Sequence, residues 1–175
     1  MLKSLRNIVR AAGFSLVELL VVVGILSVLS ALAAPSFSLM VANNQVRTGA
    51  EGILSGLQLA RTEAIRRNTN VSFTLNSGTG WTVATVSPAS NIQTRPANEA
   101  GRNLQVTSLN GQTSLTFTPM GEVFNYSTGG NLTRVTVAPS AAISSGDNLR
   151  IDISAAGQIR MCSPAITITN DPRIC

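Results

Sequence analysis

The sequence predicts an α+β fold in which one long N-terminal helix packs on a small antiparallel β-sheet domain. Three observations predict it. Residues 14–34 form an unbroken apolar run, residues 35–68 place apolar side chains on one face of a helix, and residues 69–175 contain segments that alternate apolar with polar side chains. The 175 residues suffice for one soluble domain beside a membrane helix.

The apolar run over residues 14–34, FSLVELLVVVGILSVLSALAA, contains one ionisable side chain, Glu18. As a helix it would span roughly 30 Å, which is the thickness of the hydrocarbon core of a bilayer. The cations Lys3, Arg6 and Arg10 precede the run, and none follows it closely. Because basic residues stay on the cytoplasmic side, we expect a single membrane crossing with residues 1–13 in the cytoplasm and the bulk of the chain outside.

A secretory signal peptide is the alternative interpretation of this segment, because Ala31-Leu32-Ala33 resembles a cleavage site. The chain would then be a secreted protein that begins at Ala34, with an enzymatic or binding role. Against this, the apolar run exceeds the usual length of about 7 to 15 residues. A carboxylate at helix-centre depth would also cost roughly 2 to 3 kcal/mol without serving a purpose.

The junction Gly13-Phe14-Ser15-Leu16-Val17-Glu18 joins the basic leader to the apolar run. It resembles the class III leader junction of type IV pilins and type II secretion pseudopilins. The resemblance implies that a prepilin peptidase cuts after Gly13 on the cytoplasmic side and methylates the new N-terminal residue, Phe14. Residues 1–13 would then be the prepilin leader, and the helix would be anchored in inner-membrane lipid.

Glu18 is predicted to be the residue that directs assembly. A lone carboxylate in an apolar environment needs a partner. In the pilin family, the corresponding glutamate is thought to meet the N-terminal amine of a neighbouring subunit, so the resemblance implies other pilin or pseudopilin subunits as partners. The alternative is a side chain that reaches the membrane interface one turn past Phe14. Pro35 stands where pilins commonly kink their first helix, and a kink is predicted there.

The segment over residues 35–68 is predicted to continue the same helix in amphipathic form. Apolar residues recur there at spacings of three and four. They are Val46, Ala50, Ile53, Leu57, Ala60 and Ala64. We expect the helix to end near Asn68, after the basic pair Arg66-Arg67, because cations are favourable at a helix C-terminus.

The remaining residues are predicted to form a β-rich domain over residues 69–175. Five segments alternate apolar residues with serine, threonine or charged residues, and turn signals separate them. They are 71–75, 81–86, 114–118, 132–137 and 149–153. The stretch over residues 87–102 shows no clean period and is predicted to be a long exposed loop.

The helix end over residues 60–68, followed by Trp81, is similar to the FimT and GspH branch of the pilin superfamily. The resemblance implies a type IV pilin-like fold with a periplasmic β-rich domain. It also implies the function of a minor pilin or pseudopilin, a structural subunit of a type IV pilus, a type II secretion pseudopilus or a competence filament.

The composition argues against an enzyme. The chain has no histidine, so the usual general base and the commonest metal ligand are missing. Its one lysine, Lys3, lies at the N-terminus, and two cysteines cannot complete a structural zinc site. We therefore predict no catalytic residues, no cofactor and no metal.

Cys162 and Cys175 are expected to be joined in a disulfide, because the predicted topology puts both outside the cytoplasm. Closing a loop of this length is worth about 3 kcal/mol in the chain-entropy account. The alternative is two free thiols.

Three C-terminal arginines, Arg150, Arg160 and Arg173, are candidate DNA contacts, because a guanidinium can donate to two phosphate oxygens. Some FimT-like minor pilins carry a Gly-Arg-x-Arg signature linked to DNA capture in natural transformation, and Gly157-Gln158-Ile159-Arg160 resembles it, with Gln158 at the first arginine. The predicted partner is double-stranded DNA, bound without sequence specificity. In the alternative, the arginines pair with Asp152 and Asp171 or are solvated.

Overall fold

The computed structural model describes residues 13–101, 103–126, 130–140, 147–168 and 170–175, and it omits the side chains of Ala34 and Pro35. The cations of the predicted leader fall on residues 1–12 and therefore lie outside the described residues. The chain divides into two compact units between Ser38 and Leu39.

One long helix, α1, covers Leu16–Arg67. It begins after Ser15, whose hydroxyl oxygen accepts the backbone N–H of Glu18 at 3.1 Å, as an N-cap residue does. It ends where Asn68 adopts a positive φ of 51°. The N–H groups of Asn68 and Thr69 donate to the carbonyls of Ile65 and Ala64, which satisfies the last turn in a Schellman motif. The predicted helix over residues 14–68 therefore differs by two residues at its start and one at its end.

The backbone of α1 is helical through Pro35. The kink predicted at this position stays a prediction.

In the first unit, every residue from 13 to 38 whose side chain is described is exposed. The exposed side chains include Leu19, Leu20 and Ile25, each more than half accessible. Water penalises the exposure of so much apolar surface. This surface therefore fits a lipid environment or a partner.

In the second unit, the described residues after α1 form eight strands and one short 3₁₀ turn at Leu109–Gly111. The strands are β1 Val71–Leu75, β2 Trp81–Thr85, β3 Ser90–Arg95, β4 Leu104–Ser108, β5 Ser114–Phe117, β6 Arg134–Pro139, β7 Leu149–Ile153 and β8 Ile159–Cys162. They form two antiparallel sheets, with strand orders β3-β2-β1-β5 and β4-β6-β7-β8.

The predicted α+β class and the antiparallel β-rich domain are confirmed, whereas the loop predicted over residues 87–102 is wrong. Strand β3 lies within it and pairs with β2, with a change of register between Val83 and Ala84. It is an edge strand with no buried residue, so its sequence carries no buried-and-exposed alternation. Strands β4 and β8 were also not predicted.

The apolar stripe of α1 is buried, as predicted from its spacing. It forms one core with residues of both sheets. The largest fully buried side chains are Phe73, Phe117, Ile53, Leu57, Leu115, Leu132, Ile151, Val46, Val71, Val83, Val135 and Val137.

A second row on α1 consists of glycines. Gly52 and Gly56 lie beneath side chains of the first sheet, whereas Gly49 lies against Leu104 and Val137 of the second sheet. A Cβ added at Gly56 would lie 2.6 Å from the indole ring of Trp81. The Trp81 indole N–H donates to the carbonyl of Gly52 at 2.9 Å. Gly52 and Gly56 therefore let the first sheet approach the helix backbone closely, and Gly49 does the same for the second sheet.

Candidate functional site

The predicted processing site lies immediately before α1. Gly13 and Phe14 precede the first helical residue, and Phe14 is 82% exposed. A Cβ placed on Gly13 would meet no described atom within 4 Å. No described atom therefore lies close enough to this position to block a peptidase from the bond after Gly13.

Glu18, the predicted assembly residue, is exposed in the first turn of α1. Its neighbours Val17, Leu19 and Leu20 are exposed as well, so the carboxylate belongs to an apolar surface. Among the described residues, no cation forms an ion pair with it. A carboxylate with no local partner in an apolar surface is available to an external cation.

Ser15 and Glu18 also match a capping-box pattern, in which a serine precedes the helix and a glutamate follows three residues later. The structure forms the serine half of this motif. The carboxylate is favourable in the first turn because the helix dipole is positive there. Sequence reasoning overlooked this role of Ser15, which the spacing alone indicates.

The N-terminal part of α1 contains an 18-residue window with a mean hydropathy of 2.6. Within the part of the chain that the structure describes, α1 is the one helix long and apolar enough to cross a membrane.

The C-terminal residues form a loop closed by the predicted disulfide between Cys162 and Cys175, with their Cα atoms 5.2 Å apart. The backbone N–H of Ser163 donates to the carbonyl of Arg173 at 2.8 Å, and Ser163 forms a parallel bridge with Ile174. The two ends of the loop are therefore held together by a covalent bond and by backbone pairing.

The three arginines predicted to contact DNA have partners within the protein. Arg150 pairs with Asp152 at 2.9 Å, and Arg173 pairs with Asp171 at 2.8 Å. The guanidinium of Arg173 lowers the pKa of Asp171 to about 2. Arg160 donates to two backbone carbonyls of the terminal loop, those of Pro172 and Ile174, at 3.1 and 2.7 Å.

Arg150 and Arg160 meet at the terminal loop, because Arg150 also donates to the backbone oxygen of Cys175 at 3.4 Å. The side-chain bonds of Arg173 run instead to Asp171, within the loop itself. Arg134, which sequence reasoning missed, pairs with the other oxygen of Asp152 at 2.7 Å. Its strand position opposite Asp152 depends on the sheet order, which the sequence does not reveal.

Gly157, the first residue of the Gly-x-x-Arg segment, has a structural reason to be glycine. Its φ is 72°, and a Cβ there would collide with the carbonyl oxygen of Gly121. That carbonyl accepts a bond from the Nε–H of Arg61 on α1 at 3.0 Å. The absence of a side chain at Gly157 therefore lets the loop that contains it contact both the loop at Gly121 and Arg61 of α1.

The described residues contain no group of three or more histidine, cysteine, aspartate or glutamate side chains that could hold a metal ion.

The Gly-Phe junction, the exposed apolar helix and the β-rich domain that covers its amphipathic half define the fold of type IV pilin-like proteins. Residues 9–34 match the model of the prokaryotic N-terminal methylation motif. Residues 49–157, more than half of the chain, match the model of the type II transport protein GspH. The chain belongs to the GspH family.

Solved structures similar to this chain include a minor pilin and a minor pseudopilin. The type IV minor pilin FimU of Pseudomonas aeruginosa superposes with a TM-score of 0.55 at 20% identity, over 70% of this chain and 94% of FimU. The minor pseudopilin EpsH from the type 2 secretion system of Vibrio cholerae superposes with a TM-score of 0.53 at 16% identity, over 70% of this chain and 99% of EpsH. No curated protein sequence matches the chain significantly.

Proposed function

We propose that this protein is a minor subunit of a type IV pilus or a type II secretion pseudopilus. The observation that carries the proposal is Glu18, an acid without a partner among the described residues, in an exposed apolar helix five residues after Gly13. An amine at the N-terminus of a neighbouring subunit would neutralise it, and two costly groups would then pair when the subunits are in register.

In this proposal, prepilin peptidase cleaves after Gly13 and methylates Phe14. Mass spectrometry of the mature protein from its native host tests this. We expect an N-methylated Phe14 at the N-terminus. A start at Ala34 would instead support release by signal peptidase and a secreted protein.

Two glycine variants test whether the peptide bond after Gly13 is the cleavage site. Gly13→Val places a branched side chain next to the cleaved bond, so we expect the precursor to accumulate. Gly24→Ala is the matched control, because a Cβ at Gly24 meets nothing within 4 Å. Normal cleavage of Gly13→Val would contradict the assigned site.

The proposed location is the inner membrane, with a cytoplasmic N-terminus and a periplasmic C-terminal domain before assembly into the filament. The partners would be other pilin or pseudopilin subunits, prepilin peptidase and membrane lipid. Protease added to spheroplasts tests the orientation. We expect it to degrade residues 39–175, and full protection in intact spheroplasts would contradict this topology.

The subunit would serve either a type IV pilus or a type II secretion pseudopilus. FimU is a minor pilin and EpsH is a minor pseudopilin, and their TM-scores of 0.55 and 0.53 favour neither over the other. Copurification of the protein with pilus subunits or with secretion pseudopilins would distinguish them.

DNA binding is the second candidate function. The observation that favours it lies on β6, β7 and β8, where Arg134, Arg150 and Arg160 accompany a single acid, Asp152. An excess of two positive charges on one sheet face attracts phosphate. The pairing of Arg150 with Asp152, and of Arg173 with Asp171, favours the structural interpretation of those two residues.

Retardation of duplex DNA by the detergent-solubilised protein at low salt tests the second candidate. With about three phosphate contacts, we expect log affinity to fall against log salt with a slope of roughly −2 to −3. Arg160→Gln and Arg173→Gln should each weaken binding if both side chains contact phosphate. Equal binding by all three proteins, or binding by none, would contradict the assignment.

A further inference from the structure

The loop between Cys162 and Cys175 is bonded to the outer face of the second sheet. The inner face of β7 buries Ile151 and Ile153 in the core. The alternate positions Arg150 and Asp152 lie on the opposite face, and Arg160 is the register partner of Asp152 on β8. Arg150 and Arg160 both donate to carbonyls of the loop, so the loop is attached to this face by side chains of the sheet.

Arg160 makes the closer of these attachments. One of its terminal nitrogens lies 3.1 Å from the carbonyl oxygen of Pro172 and 2.7 Å from that of Ile174. These carbonyls belong to residues that lie twelve and fourteen positions further along the chain. A charged donor shared between two backbone acceptors fixes both the position and the orientation of the segment.

Arg150 reaches the same end of the loop and ties it to the charge network of the sheet. Its guanidinium donates to Asp152 and, at 3.4 Å, to the backbone oxygen of Cys175. The other oxygen of Asp152 accepts from Arg134 at 2.7 Å. The three arginines therefore direct donors to one carboxylate and to loop carbonyls.

We propose that Arg160 is a positioning residue that, with Arg150, clamps the disulfide loop as a cover over the basic outer face of the second sheet. When the loop is released, the N–H donors of Arg150 and Arg160 that bond to it become free. The outer face of the sheet then exposes three arginines, Arg134 included, with Asp152 as their one acidic neighbour on these strands. The disulfide limits how far the loop moves, whereas the clamp determines whether it lies on the sheet. The clamp and its hydrogen-exchange test do not depend on filament assembly or on DNA binding, and only the comparison with duplex DNA rests on the second candidate function.

Hydrogen exchange of the full chain in detergent, with the disulfide intact, tests the clamp. The amide of Ser163, which donates to the carbonyl of Arg173, is the reporter. We expect Arg160→Gln to accelerate its exchange at least tenfold. The matched control is Arg173→Gln, because Arg173 lies in the same loop but its side chain bonds to Asp171 rather than to the sheet.

Two further measurements separate a clamp from a general loss of folding. Amides of β1 must keep their protection in Arg160→Gln, since this strand lies in the other sheet. Arg160→Lys should rescue the Ser163 amide in part, because an ammonium retains the charge and donates to a carbonyl without the planar guanidinium. Unchanged Ser163 exchange in Arg160→Gln would overturn the proposal.

Duplex DNA provides the final comparison. Removal of the disulfide together with the clamp, in Arg160→Gln/Cys162→Ser/Cys175→Ser, should let the loop leave the sheet and tighten DNA binding severalfold, because Arg134 and Arg150 become more accessible. Weaker DNA binding by Arg160→Gln with unchanged Ser163 exchange would identify Arg160 as a direct contact instead of a clamp, and would overturn the inference.

Discussion

Single residues determine how the loops of the second unit meet the helix, and Gly157 is the clearest case. Its φ of 72° and the nearby carbonyl of Gly121 leave no room for a side chain. Gly111 has a similar φ of 69°, but a Cβ there would meet nothing within 4 Å. Substitutions at Gly157 and Gly111 therefore distinguish the free-energy cost of a side chain in this backbone conformation from the added cost of a steric collision.

We predict that Gly157→Ala destabilises the protein by about 3 kcal/mol, because it adds overpacking to the cost of a left-handed conformation. Gly111→Ala should cost about 1 kcal/mol, the conformational part alone. Urea denaturation of the two variants and the parent protein measures both values. Equal decreases in the free energy of unfolding would show that the collision with Gly121 does not contribute to the destabilisation.

Glu63 gives a pH-dependent prediction at the same scale. Hydrogen bonds and charge from Arg66 and Arg67 lower its pKa from 4.5 to about 2. Because the folded-state pKa lies below the unfolded one, the contribution to stability is present above about pH 4.5 and is lost as the pH falls through about 2. The two arginine side chains are 60% and 39% exposed, so solvent screening keeps this contribution small.

Carboxyl NMR chemical shifts against pH measure the pKa of Glu63 directly. We expect about 2 in the parent protein and a value closer to the ordinary one in Arg66→Gln. The same pKa in both proteins would contradict the assigned cause.

At the scale of elements, Gly52 and Gly56 of α1 set the distance between the helix and the first sheet. Glycine inside a helix normally costs about 1 kcal/mol relative to alanine. Here Gly56 lies against the rings of Trp81 and Phe73, which a Cβ would approach to 2.6 and 3.0 Å. Close packing therefore outweighs helix propensity at this position.

We predict that Gly56→Ala destabilises the protein by about 2 kcal/mol, although alanine is the better helix former. Ser55→Ala, the exposed neighbour on the same helix, should be neutral or slightly stabilising. Thermal unfolding followed by circular dichroism compares the two variants. Stabilisation by Gly56→Ala would show that the helix and sheet separate without cost.

The sequence predicted elements well where periodicity follows burial. The stripe from Val46 to Ala64 is such a case, since its spacing follows the buried face of α1. Strand β3 has no buried residue, and pairing with β2 alone makes it a strand. The glycine row was missed because glycine indicates a weak helix until the facing indole of Trp81 is known. The partners of Arg160 likewise required the fold, because they lie across the disulfide loop.

At the scale of the whole molecule, the two units differ in whether their apolar side chains are exposed or buried. The described residues up to Ser38 expose apolar side chains, whereas the second unit has a buried apolar core of its own. An exposed apolar helix is stable in lipid or against other apolar helices. In the proposed assembly, Glu18 would select within that surface the partner that offers it a positive charge.

Incorporation of Glu18→Ala into sheared surface filaments or purified secretion pseudopili tests the central claim most directly. Glu51→Ala is the matched control, because Glu51 is an exposed glutamate of the same helix that pairs with Arg47. We predict that Glu18→Ala is processed and inserted in the membrane but falls at least tenfold in the assembled fraction, while Glu51→Ala assembles normally. Normal assembly of Glu18→Ala would contradict the account.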